Sequence, residues 1–263
     1  MMPMIKINDA DFYYELHGKG HPLILIAGYT CDHMYWMQQV GPLSEYFQVL
    51  IFDNRASGQT KDDDRELSAE LMADDVMTLA DSLNLKNPHI IGSSMGGNIA
   101  QQVAIRHPEK IKKLGLLVTT SKWRVAMLKG LLSGIAIREN DMPFDAQFDS
   151  MLAWVFGDKF LSNDGNISLL KILVLNNPYP QSISDQKRQA RVLLDFDSRN
   201  SLDKIKSPTL VMNADEDILS LHQESQFLID NITKAKLHTF KCAHGVSAEQ
   251  PVELVRIILD FFK

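Results

Sequence analysis

Cysteine is almost missing from this chain: Cys31 and Cys242 are the only two in 263 residues. Two thiols cannot form a disulfide framework, so the fold must rest on packing, and a reducing compartment is expected. Long apolar runs are missing as well. The longest, such as Leu23–Ala27 and Leu114–Val118, are far too short to cross a bilayer. The opening residues carry no charged n-region followed by an apolar h-region, so no signal peptide and a cytoplasmic location are expected. An excess of positive charge is also lacking. The net charge is −6, from 27 Lys/Arg against 33 Asp/Glu, which argues against a general nucleic-acid binder. There is no internal repeat and no low-complexity tract. What remains, 45% hydrophobic and 23% charged residues, is an ordinary globular composition, and its length suits one α/β domain or one domain with an insertion.

Six residues stand out: Gly92, Ser93, Ser94, Met95, Gly96 and Gly97. From Gly92 to Gly96 they read G-x-S-x-G, with Ser94 at the centre. His89-Ile90-Ile91 before them reads as a buried strand. Ile99, Ala100, Val103 and Ala104 after them fall at helical spacing. The motif carries chemistry only in this strand–turn–helix setting. The turn must be sharp enough to push one side chain above the sheet edge, and bulk at its flanks would clash. Ser94 then lies at a helix N-terminus, where backbone N–H groups stabilise negative charge. Centring the motif on Ser93 puts Ile91 and Met95 at positions that must be small, which excludes it as the nucleophile. The plainer reading is a glycine turn that only lets strand and helix pack closely.

The rest of the chain alternates strands and helices. Ile5–Ile7 and Asp11–Leu16 read as a hairpin around Asn8-Asp9. Leu23–Ala27 and Gln48–Asp53 read as strands. Asp32 caps a helix running to about Tyr46, and Ser68 caps one carrying Met72, Val76, Leu79 and Leu83 on one face. Lys113–Thr119 reads as a further strand. The alternation then stops. Helical stretches are expected over Lys122–Leu132, Phe144–Phe156, Ile167–Leu175 and Ser184–Asp197. It resumes with the strand Thr209–Asn213, a helix from Leu221 to about Ile229, the strand Lys236–Lys241 and a C-terminal helix. This order predicts an α/β fold with a doubly wound, mostly parallel sheet. Residues 1–120 and 202–263 form its core, and 121–201 are an inserted helical cap. The acidic run Asp62-Asp63-Asp64 reads as a solvated loop rather than a cation site.

At this point the chain resembles the α/β-hydrolase superfamily over nearly its whole length except the insertion. The resemblance is carried by Leu23–Gly28 with Tyr29, by Asp53-Asn54-Arg55 with Gly58, and by Gly92–Gly97. Pro208–Asp217 and Ala243-His244-Gly245 continue it. Many relatives have His-Gly where this chain has Ala27-Gly28, and Gly where it has Ala56. The family's order of nucleophile, acid and base implies Ser94, then Asp217 with Asp215 as the alternative, then His244. That order excludes the five histidines preceding the acid. His222 at a helix start and His238 inside a strand are the remaining competitors. Met95 N–H is the expected oxyanion donor after the nucleophile, and the resemblance makes Tyr29 N–H the other. Asp53 and Arg55 read as a buried ion pair bracing a loop, and Trp36, Cys31 and Cys242 as packing residues.

The resemblance implies a serine esterase with no metal or organic cofactor, acting on a small ester with an apolar acyl group. Apolar residues of the insertion, among them Trp123, Leu128, Leu132 and Phe148, would supply that pocket. The alternatives are an acyl-carrier-protein methyl ester esterase, a 3-oxoadipate enol-lactonase and a non-catalytic ligand receptor. The carrier alternative has its own signal. The insertion holds ten Lys/Arg against nine Asp/Glu in an otherwise acidic chain. Lys187, Arg188 and Arg191 cluster there, with Lys187 and Arg191 one turn apart. They read either as a solvated helix face or as a docking patch for an acidic acyl carrier.

Overall fold

Consecutive residues of a strand point to opposite sides of a sheet, so a sheet covered on both faces needs apolar residues at every position. The central strands meet that demand. Ile24 and Ile26 enter one core with Leu50, Phe52, Ile90, Leu114 and Leu116. Leu23 and Leu25 enter the other with Val49, Ile51, Ile91 and Leu117. A computed structural model describes residues 3–263. The chain begins with the hairpin β1 (Met4–Ile7) and β2 (Ala10–His17), turning at Asn8 with φ 53°. Then follow β3 (His21–Ile26), a 3₁₀ turn (His33–Trp36), α1 (Met37–Ser44), β4 (Phe47–Phe52), α2 (Ala69–Ser82), β5 (His89–Ser93), α3 (Met95–Arg106) and β6 (Leu114–Leu117). Five helices come next: α4 (Val125–Glu139), α5 (Phe144–Val155), α6 (Asp158–Leu161), α7 (Asp164–Leu175) and α8 (Ile183–Asp195). After a 3₁₀ turn at Arg199–Lys204 come β7 (Thr209–Ala214), α9 (His222–Asn231), β8 (Ala235–Phe240), α10 (Val246–Glu249) and α11 (Pro251–Phe262).

The eight strands lie in the order β1-β2-β4-β3-β5-β6-β7-β8. β2 runs antiparallel to both β1 and β4, and every pair from β4 to β8 is parallel. Helices α2 and α3 cover one face, and α1 and α11 the other. This is the expected doubly wound, mostly parallel sheet. The helix expected from Asp32 to Tyr46 is divided. Asp32 caps a 3₁₀ turn through Met34 N–H (2.9 Å), and α1 follows as a separate helix containing Pro42. Helix α4 runs on to Glu139, past the end expected at Leu132, with Gly134 in its interior. No helix among the described residues is long and apolar enough to cross a membrane.

The five helices leave and rejoin the sheet layer at one place. Ser198 N–H donates to Ser121 O (2.9 Å), and Lys122 pairs with Asp197 across the same junction. Just inside it the buried Trp123 donates its indole N–H to Asn98 of α3 (2.7 Å). A buried indole N–H needs such a partner, so this bond fixes the ring over the helix that starts at Ser94. Trp123, Met127, Phe148 and Leu152 are spent on packing, whereas α7 buries no side chain and leaves Leu169, Ile172 and Leu175 more than half exposed.

At the opposite end of the sheet, His89 opens β5 fully buried between Phe47, Phe262 and the His21 ring. Neither of its ring nitrogens has a hydrogen-bond partner. Burial, helped by the charges of His21, Lys112 and Lys113, holds its pKa down at about 3. An unfolded histidine titrates near 6.5, so between these values the unfolded chain binds a proton that the fold refuses. Stability should therefore fall as pH drops from 6.5 towards 3, by up to about 1.4 kcal/mol per pH unit from this residue. Urea unfolding at pH 7 and pH 5 checks this. His89→Leu should narrow the gap between the two midpoints, and an unchanged gap would place the acid sensitivity elsewhere.

Candidate active site

The turn after β5 is held by contacts that leave no room for side chains. A Cβ on Gly92 would lie 2.0 Å from Gly96 O, and one on Gly96 would lie 2.3 Å from Ile26 O. One on Gly97 would strike Thr119. The three glycines thus let β5, α3 and the end of β3 close on one point. Ser94 sits there with φ 55° and ψ −118°, a left-handed conformation that a non-glycine residue adopts only when its surroundings enforce it. Its N–H donates to Leu117 O (2.9 Å). Its carbonyl accepts Gly97 N–H (2.9 Å) and Thr119 Oγ1 (2.8 Å). Ser94 is the N-cap residue of α3, yet its hydroxyl does not cap. That leaves Oγ for another partner. Ser93, the rejected alternative, is buried and bonded to the Tyr35 hydroxyl (2.7 Å).

The partner of Ser94 is His244, whose Nε2 lies 3.0 Å from Ser94 Oγ. His244 follows β8 in a loop fixed on both flanks. Ala243 N–H donates to Glu249 (3.2 Å), and Gly245 N–H to Val155 O at the end of α5 (2.8 Å). A Cβ on Gly245 would come within 2.5 Å of the Phe156 ring. Glu249 also accepts Gly157 N–H (3.2 Å), so one carboxyl ties the histidine loop to the inserted helices. Burial raises the Glu249 pKa against these hydrogen bonds.

On its far side His244 Nδ1 lies 2.8 Å from Asp217 Oδ2. Asp217 is buried after β7. Its Oδ1 accepts the N–H groups of Leu219 (2.7 Å) and Ser220 (3.1 Å), and its Oδ2 accepts Ser220 Oγ (2.7 Å). Burial alone would raise its pKa. The charge and hydrogen bond of His244, then the bonds from Ser220, outweigh burial and lower it. Asp215 is exposed, with only its backbone N–H engaged, to Phe240 O. His222 instead pairs with Asn213 (2.8 Å), and His238 lies 3.5 Å from Glu253. Ser94, His244 and Asp217 are therefore brought into one hydrogen-bonded line from three strand ends.

Gly28 lies against Ser94, so close that a Cβ there would be 3.2 Å from Ser94 Cβ. Tyr29 follows it, and Met95 begins α3. Neither backbone N–H donates to another group among the described residues. Both are left available to an incoming oxygen.

One expectation fails. Asp53 and Arg55 do not pair with each other. Asp53 Oδ1 accepts the N–H of His33 and lies 2.7 Å from its ring Nδ1, while Oδ2 accepts Gln59 N–H (2.7 Å). Burial would lower the His33 pKa, but the bond and charge of Asp53, with Asp32 and Glu15, raise it. Asp32, His33 and Asp53 come together, yet the oxygens of both carboxylates are already occupied by Met34, Asn177, His33 and Gln59. Arg55 turns the other way and makes a buried, two-pronged pair with Asp75 of α2 (2.6 and 2.9 Å). The three basic residues singled out on α8 all have carboxylate partners. Lys187 pairs with Glu139, and Arg191 with Asp195 (2.6 Å). Arg188 pairs with Asp62 and Asp185 (both 2.8 Å). Lys187 and Arg191 stay more than half exposed in these pairs, whereas Arg188 is largely buried. The acidic run is correspondingly not bare solvated loop, because Asp62 anchors α8 through Arg188 and Asp63 holds Arg65 (2.6 Å).

Sequence reading missed Gln189 and Glu249. On an amphipathic helix both look like solvated polar positions. Their partners lie 159 and 92 residues away, so only the folded chain reveals them.

The chain is similar to known proteins over nearly its whole length. A curated relative from Azorhizobium caulinodans, named as carbamate hydrolase RutD, is 27% identical over 269 positions, covering 99% of this chain and 98% of its own. The 3-oxoadipate enol-lactonase 1 of Acinetobacter baylyi is 25% identical, covering 88% and 85%. The crystal structure of MGS-M2, an α/β-hydrolase enzyme from a Medee basin deep-sea metagenome library, superposes with a TM-score of 0.90. It is 21% identical, covering 99% of this chain and 97% of its own. The family model for the α/β-hydrolase fold matches residues 21–251, and the chain belongs to that family.

Proposed function

We propose that this protein is a serine hydrolase that cleaves a small carboxylic ester, cyclic enol esters included, through an acyl-enzyme on Ser94. The observation that carries the reading is the hydrogen-bonded line from Ser94 Oγ through His244 to Asp217. A serine hydroxyl is a weak nucleophile until a base takes its proton. His244 Nε2 takes it as Oγ attacks the carbonyl carbon, then returns it to the departing alkoxide or enolate. Asp217 holds Nδ1–H, fixing the tautomer and stabilising the imidazolium. The tetrahedral oxygen lies at Met95 N–H and Tyr29 N–H, at the positive end of α3. One such donor contributes about 3–4 kcal/mol to the barrier. Water repeats the sequence to release the acid.

A lactone and an open ester pass through the same tetrahedral intermediate, so the name of the Acinetobacter relative fits this site as well as open-ester cleavage does. Carbamate hydrolysis is the second reading, favoured by the likeness to the Azorhizobium protein over 99% of this chain.

Ser94→Ala and His244→Ala should each lower turnover of p-nitrophenyl acetate by roughly 10⁴-fold or more, with unchanged circular dichroism. Asp217→Asn should lose about 10⁴-fold, and Asp215→Asn less than about threefold. A larger loss from Asp215→Asn would reassign the acid.

A panel of p-nitrophenyl esters of graded acyl length, one enol lactone and one carbamate separates the readings. Each added methylene should raise kcat/KM by up to about fourfold until the pocket is full, following about 0.8 kcal/mol per buried methylene. The enol lactone should be cleaved faster than the carbamate. A carbamate preferred over every ester would install the second reading in place of the first.

A further inference from the structure

The turns after β3 and β4 hold non-glycine residues in the left-handed region: exposed Thr30 at φ 60° and buried Ala56 at φ 61°. For a β-branched residue such as Thr30 this is a costly conformation, kept only where neighbours enforce it. Both turns are held by glutamines of the inserted segment. Gln189 of α8 is fully buried, and its Oε1 accepts Thr30 N–H (3.0 Å). Its Nε2 donates to Arg55 O (2.9 Å), and Gln181 Nε2 donates to both Ala56 O (2.6 Å) and Gln189 Oε1 (3.0 Å). The peptide plane between Tyr29 and Thr30 is thereby clamped at both ends. Gln189 takes its N–H, and Thr30 Oγ1 donates to its carbonyl, Tyr29 O (2.7 Å). The neighbouring plane carries Tyr29 N–H, directly after the Gly28 that touches Ser94. Clamping one plane limits how far the next can swing.

We propose that Gln189 is a positioning residue for the oxyanion hole, and that α8 thereby completes the catalytic edge rather than only covering it. This rests on the hydrolase reading, since it assigns a task to Tyr29 N–H in that reaction. Without Gln189, Thr30 loses the acceptor that stabilises its strained conformation, and the Tyr29 plane is released. A small misplacement of a transition-state donor lowers the rate of the chemical step and leaves ground-state binding nearly intact.

The test compares Gln189→Leu, Gln189→Glu and Gln189→Asn with the parent on p-nitrophenyl esters, normalised to active sites by fluorophosphonate titration. Gln189→Leu should lower kcat by roughly ten- to a hundredfold with KM within about threefold. A trifluoromethyl ketone, which forms a tetrahedral adduct and places an oxygen in the hole, should bind more weakly in proportion to kcat/KM. Gln189→Glu, its carboxyl kept protonated by burial, offers an oxygen to Thr30 N–H and an O–H to Arg55 O and should retain most of kcat, whereas the shorter Gln189→Asn should not. Faster amide exchange at Thr30 in Gln189→Leu is the expected readout that does not depend on turnover. A kcat within twofold of the parent, a rise in KM alone, or unchanged exchange at Thr30 would each overturn the proposal. Should Gln189→Leu fail to fold, Glu above Asn in kcat supports the assignment, and Asn equal to or above Glu overturns it. Turnover that survives Ser94→Ala would refute the hydrolase reading and leave the exchange result at Thr30 to decide the clamp separately.

Discussion

The structure depends on one close approach. β5 turns into α3 so tightly that Gly92 touches the backbone of Gly96, and Gly96 touches the carbonyls that end β3. Nothing larger than hydrogen fits between these segments. The closeness forces Ser94 to φ 55°, and the hydrogen bonds to Leu117, Gly97 and Thr119 hold it there. The strain of one residue is thus carried by three neighbouring elements, β3, β6 and α3. In return Oγ stands clear of its own helix, which a hydroxyl in an ordinary N-cap would not do. Every other feature of the site is arranged around that fixed oxygen.

The inserted helices are bound to this edge by polar bonds that are individually modest and collectively specific. Trp123 reaches Asn98 on the helix behind the nucleophile, and Val155 and Gly157 hold the histidine loop. Gln181 and Gln189 hold the turns after β4 and β3, and Arg188 reaches Asp62. Each of these donors or acceptors is at least partly buried. Losing one partner would strand the other, at a cost of about 1–3 kcal/mol. Such bonds define position better than apolar packing does, because they have direction. The buried Arg55–Asp75 pair does the same for α2 beneath the turn after β4, and removing either partner would leave an uncompensated charge worth about 3–5 kcal/mol.

Charge in the insertion has a structural use. The cluster of Lys187, Arg188 and Arg191 looks like a surface field in the sequence, because their carboxylate partners are scattered over α4, α8 and the acidic run. Of these partners only the acidic run lies outside the insertion, and counting charge along a segment cannot register it. Arg188, largely buried with Asp62, fastens α8 to the core, whereas the exposed pairs of Lys187 and Arg191 contribute little to stability. The same limit applies to Asp53 and Arg55. Their two-residue spacing suggests a pair, but the turn sends one side chain to His33 and the other to Asp75.

By itself the sequence determined the sheet, its helical covering and the turn that carries Ser94. These are set by local signals: apolar runs of strand length, helical periodicity, and glycines where no Cβ fits. It determined the place of Ser94 for the same reason, since the constraint lies within six consecutive residues. Asp217 and His244 could be named through the order of the resembling family, but Asp215 remained open two positions away. The tertiary structure sets Asp217 rather than Asp215 against His244, because burial and the Ser220 hydrogen bonds depend on where β7 ends beside β8. It alone decided the roles of Gln189, Glu249 and Arg188. Those roles depend on contacts between residues far apart in the chain, and a side chain's type says nothing about which distant group it will meet.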